Sequence, residues 1–210
     1  PGAAVITALH AQRLDAVEAV LADAGVRTVL DLGCGDGALL RRLAARPAIT
    51  RLVGVEPVGG RLAELRRRLA DADAGKVELI EAALTDAAAV RTGFDAAVMV
   101  ETLEHLPPER LGAVERAVFR AMAPGLVVVT TPNADFNDLL GVPGHRRRHP
   151  DHRFEWGRAR FARWAEGVAA RHGYAAERRD VAATHPTYGG PTQMAVFTRR
   201  CARQGPREPL

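Results

Sequence analysis

The sequence has few cysteines, a single lysine and no long hydrophobic run. Its two cysteines, Cys34 and Cys201, form no CxxC pair, so neither a disulfide framework nor a zinc ribbon is indicated. No apolar run approaches the ~20 residues that a membrane helix needs, and the N-terminus lacks the basic and then apolar pattern of a secretory signal. We therefore expect a soluble, cytoplasmic protein with reduced thiols.

The 210 residues fit one domain, because a compact α/β fold of this length buries an ample core. We assign 1–200 to this domain and 201–210 to a C-terminal tail, and the start at Pro1 favours a domain cut from a longer chain. The net charge of +4 permits an anionic partner such as nucleic acid. Since Lys76 is the only lysine, the arginine excess fits a GC-rich genome equally well, and local clusters of charge carry more weight.

Apolar runs rich in β-branched residues alternate with amphipathic runs along the chain. Apolar residues at helical spacing predict a leading helix over residues 5–24 and a later helix over 157–173. Predicted strands lie at 27–32, 51–56, 76–81, 94–100, 125–131 and 191–200. This alternation is typical of an α/β fold, with a mostly parallel sheet and helices on both faces.

A glycine-rich loop in VLDLGCGDGALL, residues 29–40, follows one predicted strand and precedes a helix. Its glycines let a ligand approach the backbone, and the helix N-terminus adds a positive partial charge. The spacing is GxGxG rather than the GxGxxG of dinucleotide-binding loops, and Asp31, two residues before the first glycine, would repel a pyrophosphate. Because an acid there attracts the ammonium group of S-adenosylmethionine, the motif favours this cofactor over a nicotinamide or a flavin.

The remainder of the predicted cofactor site follows the next two strands. Glu56 ends the second strand, where its carboxylate can accept hydrogen bonds from both ribose hydroxyls; a solvated acid is the alternative. Residues 83–86 follow the third strand and are expected to flank the adenine. We interpret Cys34 as a small packing residue. The predicted cofactor-binding residues are Asp31, Gly33, Gly35, Asp36, Glu56, Ala83 and Leu84.

A second motif, MVETLEHLP at 99–107, follows the fourth predicted strand. Offsets of three and four residues put Glu101, Glu104 and His105 on one face of a helical turn. That turn lies at the carboxyl edge of the sheet, where open α/β folds bind ligands. A solvated acidic turn is the alternative for these three residues alone. A fourth metal ligand is available in the loop GHRRRHPDHRFEW, which carries His145, His149 and His152.

These motifs carry a resemblance to a known family. ETLEHL, TTPNADFN, RHPDHRFEWGRARFARWA and the leading HAQRLDAVEAVLADAGVRTVLDLGCGDG are similar to the methyltransferase domain of the HUA-enhancer type of small-RNA 2′-O-methyltransferases. Bacterial members of that family work with an RNA kinase, phosphatase and ligase in RNA repair. The resemblance covers nearly the whole chain and implies a Rossmann-like, seven-stranded S-adenosylmethionine-dependent methyltransferase fold. It also implies that a divalent metal ion, Mn²⁺, Co²⁺ or Mg²⁺, is bound by Glu101, Glu104, His105 and His152.

Such a metal site suits a terminal ribose. Four ligands on a six-coordinate ion leave two positions for adjacent hydroxyls, and the ion lowers the pKa of the 2′-hydroxyl. His105 and His152 are the candidate proton acceptors. We therefore expect an enzyme that methylates the 2′-hydroxyl of the 3′-terminal ribose of RNA. A metal-dependent O-methyltransferase of a catechol-like diol and a weakly catalytic RNA-end-binding module are the alternatives.

The RNA is expected to lie across the histidine-rich loop. A solvated face is the alternative for its arginine run, and a strand-to-helix turn capped by Asn133 is the alternative for TPN at 131–133. Phe161 and Trp164 have helical spacing and are predicted to lie in the core. The candidate RNA contacts are Arg146, Arg147 and Arg148 for phosphates, Phe154 and Trp156 for stacking on a base, and Thr131, Pro132 and Asn133 beside the metal.

Overall fold

The computed structural model describes residues 2–69, 75–87 and 91–200. Within these ranges the helices are α1 (Gly2–Asp23), α2 (Ala38–Ala44), α3 (Gly59–Leu69), α4 (Leu84–Ala87), α5 (Leu111–Glu115) and α6 (Arg158–His172). The strands are β1 (Thr28–Leu32), β2 (Arg51–Glu56), β3 (Val77–Glu81), β4 (Ala96–Val100), β5 (Leu126–Pro132), β6 (Tyr174–Val181) and β7 (Thr192–Arg199). Short 3₁₀ turns lie at Leu103–His105, Pro108–Arg110, Ala134–Phe136 and Asp138–Leu140, and a π-helical stretch, Arg116–Met122, continues α5. The predicted tail and Cys201 lie outside the described residues.

The strands form one sheet in the order β3-β2-β1-β4-β5-β7-β6. Neighbours from β3 to β5 pair in parallel, and β7 pairs antiparallel with both β5 and β6. The prediction of a mostly parallel, seven-stranded sheet is therefore confirmed. No helix within the described ranges is long and apolar enough to cross a membrane.

Helices cover both faces of the sheet, because successive residues of a strand point to opposite sides. Val29 and Val98 belong to a buried cluster formed with side chains of α1, α2 and α3. Leu30 and Met99 belong to a second cluster, formed with side chains of α4, α5 and α6. The central strands consequently read as continuous apolar runs, which is what a sheet buried on both faces requires.

The sequence did not predict strand β6. Each predicted strand corresponds to an observed one within two residues at either end, but none was predicted over β6. In YAAERRDV only the first and last residues, Tyr174 and Val181, are buried, and most of the side chains between them are exposed. The strand forms the edge of the sheet, so its sequence lacks the apolar run that marked the others.

The strand order reverses between β1 and β4, which lie side by side in the sheet. Loops that leave the carboxyl ends of the two strands therefore part to opposite sides, and a crevice forms there. The loop after β1 carries the glycines, and the segment after β4 carries the acidic motif. The topology thus places the two predicted chemical motifs next to each other.

Candidate active site

The glycine loop after β1 is shaped by positive backbone angles. Gly33 has φ of 82° and Gly35 has φ of 55°, values that glycine adopts without strain. A Cβ added to Gly33 would lie 2.5 Å from Cγ2 of Thr102, so the loop contacts the segment after β4 closely. A Cβ added to Gly35 would meet nothing within 4 Å. Gly35 therefore presents bare backbone to open space, as a loop that lies against a cofactor requires.

Asp31, at the end of β1, carries a buried carboxylate without a donor. Only 2% of its surface is exposed, and none of the described residues donates a hydrogen bond to its side chain. Burial, followed by the charges of Asp36 and Glu56, raises the pKa of Asp31 to about 7. A cationic group bound there would relieve this unfavourable charge, because an opposite charge stabilises the ionised form.

Glu56, at the end of β2, is buried like Asp31 but is held by backbone amides. Its Oε2 accepts a hydrogen bond from the amide of Gly35 at 3.2 Å, and its Oε1 accepts one from the amide of Val58, also at 3.2 Å. Arg61 pairs with Oε1 at 3.5 Å. These contacts fix the carboxylate beside the glycine loop, where the sequence predicted a contact to a ribose.

The other predicted cofactor residues have mixed placements. Asp36 is exposed, and its Oδ1 accepts a hydrogen bond from the amide of Ala38 at 3.1 Å, at the start of α2. Ala83 is half-buried, and Leu84 packs in the core with 6% of its surface exposed. Val58, whose amide donates to Glu56, has 47% of its surface exposed.

Cys34 is buried in the core cluster on the α1 side of the sheet. Burial, followed by the charges of Asp31 and Glu56, raises the pKa of its thiol well above the usual range. A thiol in this state is a poor nucleophile. The interpretation of Cys34 as a packing residue is therefore confirmed.

The acidic motif after β4 begins with a strained residue. Glu101 has φ of 49°, a left-handed conformation that is uncommon for a residue with a side chain. Its amide donates to the carbonyl of Thr130 at 3.1 Å and to the hydroxyl of the same residue at 3.2 Å. These bonds to β5 hold the chain in a sharp bend between β4 and the 3₁₀ turn Leu103–His105.

Three of the four predicted metal ligands lie together. Glu104, His105 and His152 each offer one ligand atom, and these atoms lie within 4.8 Å of one another. A backbone hydrogen bond of 2.7 Å from the amide of Arg153 to the carbonyl of Glu104 joins the acidic motif to the histidine-rich loop. The two segments, more than forty residues apart in sequence, thus form one cluster.

Glu104 is fully buried. Its Oε2 accepts a hydrogen bond from the hydroxyl of Thr131 at 3.1 Å, which orients the carboxylate. Burial, followed by the charge of Glu101, raises the pKa of Glu104 well above its usual value. Two acids this close in a buried site are stabilised by a cation between or beside them.

His152 is oriented by Glu155, a residue that sequence reasoning missed. Nδ1 of His152 lies 2.6 Å from Oε1 of Glu155. Burial opposes ionisation of Glu155, but hydrogen bonds from His152, Asn137 and the amide of Arg148 outweigh it and lower the pKa of Glu155. An ionised carboxylate only accepts, so Nδ1 of His152 donates to Glu155, and Nε2 is the ring nitrogen left to contact an ion. An acid three residues after a candidate histidine ligand was the signal for this role.

Glu101, the fourth predicted ligand, lies outside the cluster of three. Its Oε2 pairs with the guanidinium of Arg13, from α1, at 3.1 Å. The prediction of three ligands on one face of a helical turn is therefore wrong in its geometry, because the positive φ of Glu101 ends the strand before the turn begins. Glu101 still affects the pKa of Glu104, so the two carboxylates are near each other.

The cluster fits a divalent metal ion by its unpaired oxygens. Oε1 of Glu101 and Oε1 of Glu104 are both buried, and neither accepts a hydrogen bond from any described residue. A buried carboxylate oxygen left in this state is unfavourable unless a cation binds it. Burial, followed by the charge of His152, lowers the pKa of His105, which favours the neutral ring that binds metals. Two imidazoles with carboxylates are a donor set for Mn²⁺, Co²⁺ or Fe²⁺ at least as much as for Mg²⁺.

The three arginines of the histidine-rich loop have different surroundings. Arg146 is exposed, and Arg147 donates to the carbonyl of His152 at 3.0 Å. Arg148 is half-buried and donates to Oδ1 of Asn137 at 2.6 Å, and also to the carbonyls of Pro191 and Asn133. The prediction of a phosphate contact for Arg148 is therefore corrected, since its guanidinium is used in joining three segments of the fold.

The other predicted RNA contacts are mostly buried. Phe154 has 9% of its surface exposed and stacks on Trp156, with ring centroids 4.5 Å apart, so it offers no open face to a base. Thr131 and Pro132 are buried in β5. Asn133 is fully buried, and its side chain accepts from the amide of Asp135, as the alternative of a turn cap predicted. These placements correct the expected RNA contacts: burial gives Thr131 and Asn133 a positioning role.

Comparisons with known proteins identify the family to which the sequence and the fold are similar. A family model described as a methyltransferase domain matches residues 29–125. A small RNA 2′-O-methyltransferase of Gallus gallus is 34% identical over an alignment of 216 positions that covers 96% of this chain and 56% of that protein. One of Mus musculus is 35% identical and covers 91% of this chain and 51% of that protein. The chain therefore spans about half the length of these curated relatives.

A solved structure gives the fuller correspondence. The crystal structure of the methyltransferase domain of bacterial CtHen1 superposes with a TM-score of 0.81 and 34% sequence identity. The match covers 90% of this chain and 99% of that domain. This chain therefore spans nearly the whole of a methyltransferase domain.

Proposed function

The chain belongs to the methyltransferase-domain family of the small RNA 2′-O-methyltransferases, and we propose that it methylates the 2′-hydroxyl of the 3′-terminal ribose of RNA. The methyl donor is S-adenosylmethionine, in keeping with a Rossmann-like methyltransferase fold. We assign residues 1–200 to this catalytic domain. RNA kinase, phosphatase and ligase partners remain a prediction from the family resemblance, to be tested by co-purification.

One observation carries the proposal more than the others. The cluster of Glu104, His105 and His152 lies in the crevice beside the glycine loop, and Oε1 of Glu104 and of the neighbouring Glu101 are buried there with no hydrogen bond from a described residue. A methyltransferase that acts on an ordinary hydroxyl needs a base but no such donor set. A pair of adjacent hydroxyls, as at an RNA 3′ end, matches a site that holds a metal ion and keeps positions open.

Glu101, Glu104, His105 and His152 would hold the ion, with Thr131 and Glu155 orienting two of them. A bound divalent ion supplies the positive charge that lowers the pKa of a ribose hydroxyl. His105 and His152 are the candidate proton acceptors, and a ring nitrogen could accept the proton only while it does not bind the ion. On His152 that nitrogen would be Nε2, because Nδ1 already donates to Glu155.

The cofactor half supplies binding and orientation. We propose that the Asp31 carboxylate pairs with the ammonium group of S-adenosylmethionine, and that Glu56 accepts hydrogen bonds from the ribose of the cofactor. Gly35 lets the cofactor lie against the backbone. Because β1 and β4 are neighbours, the methyl group of the cofactor and the hydroxyl of the RNA would face each other across one crevice. Methyl transfer then takes place between two reactants that are bound and oriented.

Transfer of a tritiated methyl group tests the proposal. An RNA with a normal 2′,3′-diol end should be labelled, and matched RNAs with a 2′-deoxy or 3′-phosphate end should not. Mass spectrometry of nuclease digests should locate the label on the terminal 2′-oxygen. Labelling of internal riboses, or of catechol in preference to RNA, would contradict the assignment. Full activity in excess EDTA would contradict the proposal that a metal ion takes part in the reaction.

A further inference from the structure

Exposed hydrophobic side chains are few, and they border the candidate active site. Among the described residues the large ones are Val58, Leu139 and Tyr188, with 47%, 49% and 38% of their surfaces exposed. Val58 follows Glu56 on the cofactor side. Leu139 lies in a 3₁₀ turn next to Asn137, and Tyr188 lies in the turn between β6 and β7. Tyr188 is the one aromatic residue of this set.

Tyr188 is held in an ordered turn. His185 and Gly189 exchange two backbone hydrogen bonds, each of 2.8 Å, which close the turn. Nδ1 of His185 accepts from the amide of Thr187 at 3.2 Å, so the imidazole is fixed by the backbone. The rings of His185 and Tyr188 pack with centroids 4.9 Å apart at 31°. The exposed phenol ring therefore packs on the imidazole of His185, and little conformational entropy would be lost when it binds a ligand.

A hydrogen bond joins this turn to the metal half of the site. The side-chain amide of Asn133, at the end of β5, donates to the carbonyl of Tyr188 at 2.7 Å. Two residues earlier, the hydroxyl of Thr131 donates to Glu104. In β7, which follows the turn, the hydroxyl of Thr192 lies 3.2 Å from the guanidinium of Arg13, which pairs with Glu101 at 3.1 Å. The backbone of Tyr188 is therefore bonded to the same end of β5 that contacts Glu104.

We propose that Tyr188 stacks on a nucleobase within the last nucleotides of the RNA, with the turn His185–Gly189 as its support. The inference rests on the proposed function and replaces the stacking role expected of Phe154, which is buried. Single-stranded RNA is bound by exposed aromatic rings, and stacking is tolerant of base identity because every base has a π-face. Tyr188 accordingly strengthens binding of an unpaired 3′ end without selecting its sequence.

The test compares Tyr188→Ala, Tyr188→Phe and the neighbouring control Thr187→Ala on one set of RNAs. Tyr188→Ala should raise KM for RNA about tenfold with little change in kcat, since one stacked base contributes this much. Tyr188→Phe keeps the ring and should behave like the parent, as should Thr187→Ala. An RNA that is abasic at the stacked position should bind the parent and Tyr188→Ala equally.

Direct binding is measured with 2-aminopurine placed at each of the last nucleotides in turn. The parent should quench the fluorescence at one position, and Tyr188→Ala should lose that quenching. This titration needs no methyl transfer, so it decides the stacking role separately from the activity. Quenching unchanged in Tyr188→Ala, or a loss of kcat at constant KM, would overturn the inference while leaving the proposed function intact. Absence of RNA methylation by the parent would instead refute the proposed function.

Discussion

The cofactor half and the metal half of the candidate site are constructed in different ways. The charged groups of the cofactor half come from one stretch, Asp31 to Val58. Backbone amides hold Glu56 there, whereas no described residue donates a hydrogen bond to the carboxylate of Asp31. In the metal half, Thr131 holds Glu104 and Glu155 holds His152. One half therefore depends on backbone geometry and an unpaired charge, and the other depends on side chains brought together by the fold.

The largest effects are expected from the metal half. Glu104→Ala and His152→Ala should each lower turnover by several orders of magnitude, because they remove groups that act on the reacting hydroxyl. If the two halves are independent, the affinity for S-adenosylmethionine measured by calorimetry should stay within about twofold. His145→Ala, a change of an exposed histidine in the same loop, is the control and should be active. A large loss of cofactor affinity would show that the halves are coupled.

Asp31→Asn should separate stability from function in the cofactor half. The folded-state pKa of Asp31, about 7, is above its usual value of 3.8, so the native state binds more protons and loses stability as pH rises between these values. The ionised carboxylate costs roughly 4 kcal/mol at pH 8. Urea denaturation without cofactor should show Asp31→Asn gaining stability over the parent at pH 8, and the gain should fade near pH 4.

The same variant should bind the cofactor poorly. Loss of a buried, charge-assisted contact should weaken S-adenosylmethionine binding about 100-fold. A variant that is more stable and still binds as tightly as the parent would show that the ammonium group is held elsewhere. Tight binding of NAD by the parent would contradict the whole interpretation of the glycine loop.

Glu155→Gln tests whether the metal half depends on residues that do not touch the ion. An amide can accept from Nδ1 of His152 but carries no charge, so metal affinity should fall 10- to 100-fold. Calorimetry with Mn²⁺ measures this directly. Asp138→Asn, in the 3₁₀ turn Asp138–Leu140 and exposed, is the matched control. Unchanged Mn²⁺ affinity in Glu155→Gln would show that Glu155 has a structural role and does not contribute to metal binding.

The smallest effects concern the arginine run. Arg146→Ala should weaken binding of RNA of any sequence a few-fold and reduce the salt dependence of binding by about one phosphate contact. Arg148→Ala should instead lower the urea midpoint, because its guanidinium joins Asn137, Pro191 and Asn133. Equal effects of the two changes on the salt slope would contradict the different roles that we assign to them.

The fold was largely predictable because its signals are local. Apolar β-rich runs identified every strand except β6, whose run of charged residues fits an edge position that only the sheet order reveals. The glycine loop was also local, since three glycines and one acid in sequence define it. The motif spacing and the family resemblance likewise pointed to Glu104, His105 and His152, which the structure brings together; their role as metal ligands stays a prediction.

The supporting residues of the metal half could not be predicted in the same way. Nothing in the sequence near Thr131 indicates that its hydroxyl meets Glu104, because the contact arises from pairing of β4 with β5. Phe154 was interpreted as an exposed ring although it packs on Trp156. Burial of an aromatic residue in a polar loop depends on which helix covers that loop, and local patterns carry no such information.

The left-handed backbone of Glu101 bears on how this protein can be engineered. A residue with a side chain is disfavoured there by roughly 1 to 3 kcal/mol, whereas glycine adopts φ of 49° freely. A library screened for melting temperature alone would therefore enrich glycine at position 101. Each such variant would lose the carboxylate next to Glu104, so a thermostability campaign on this scaffold needs metal binding as a second criterion.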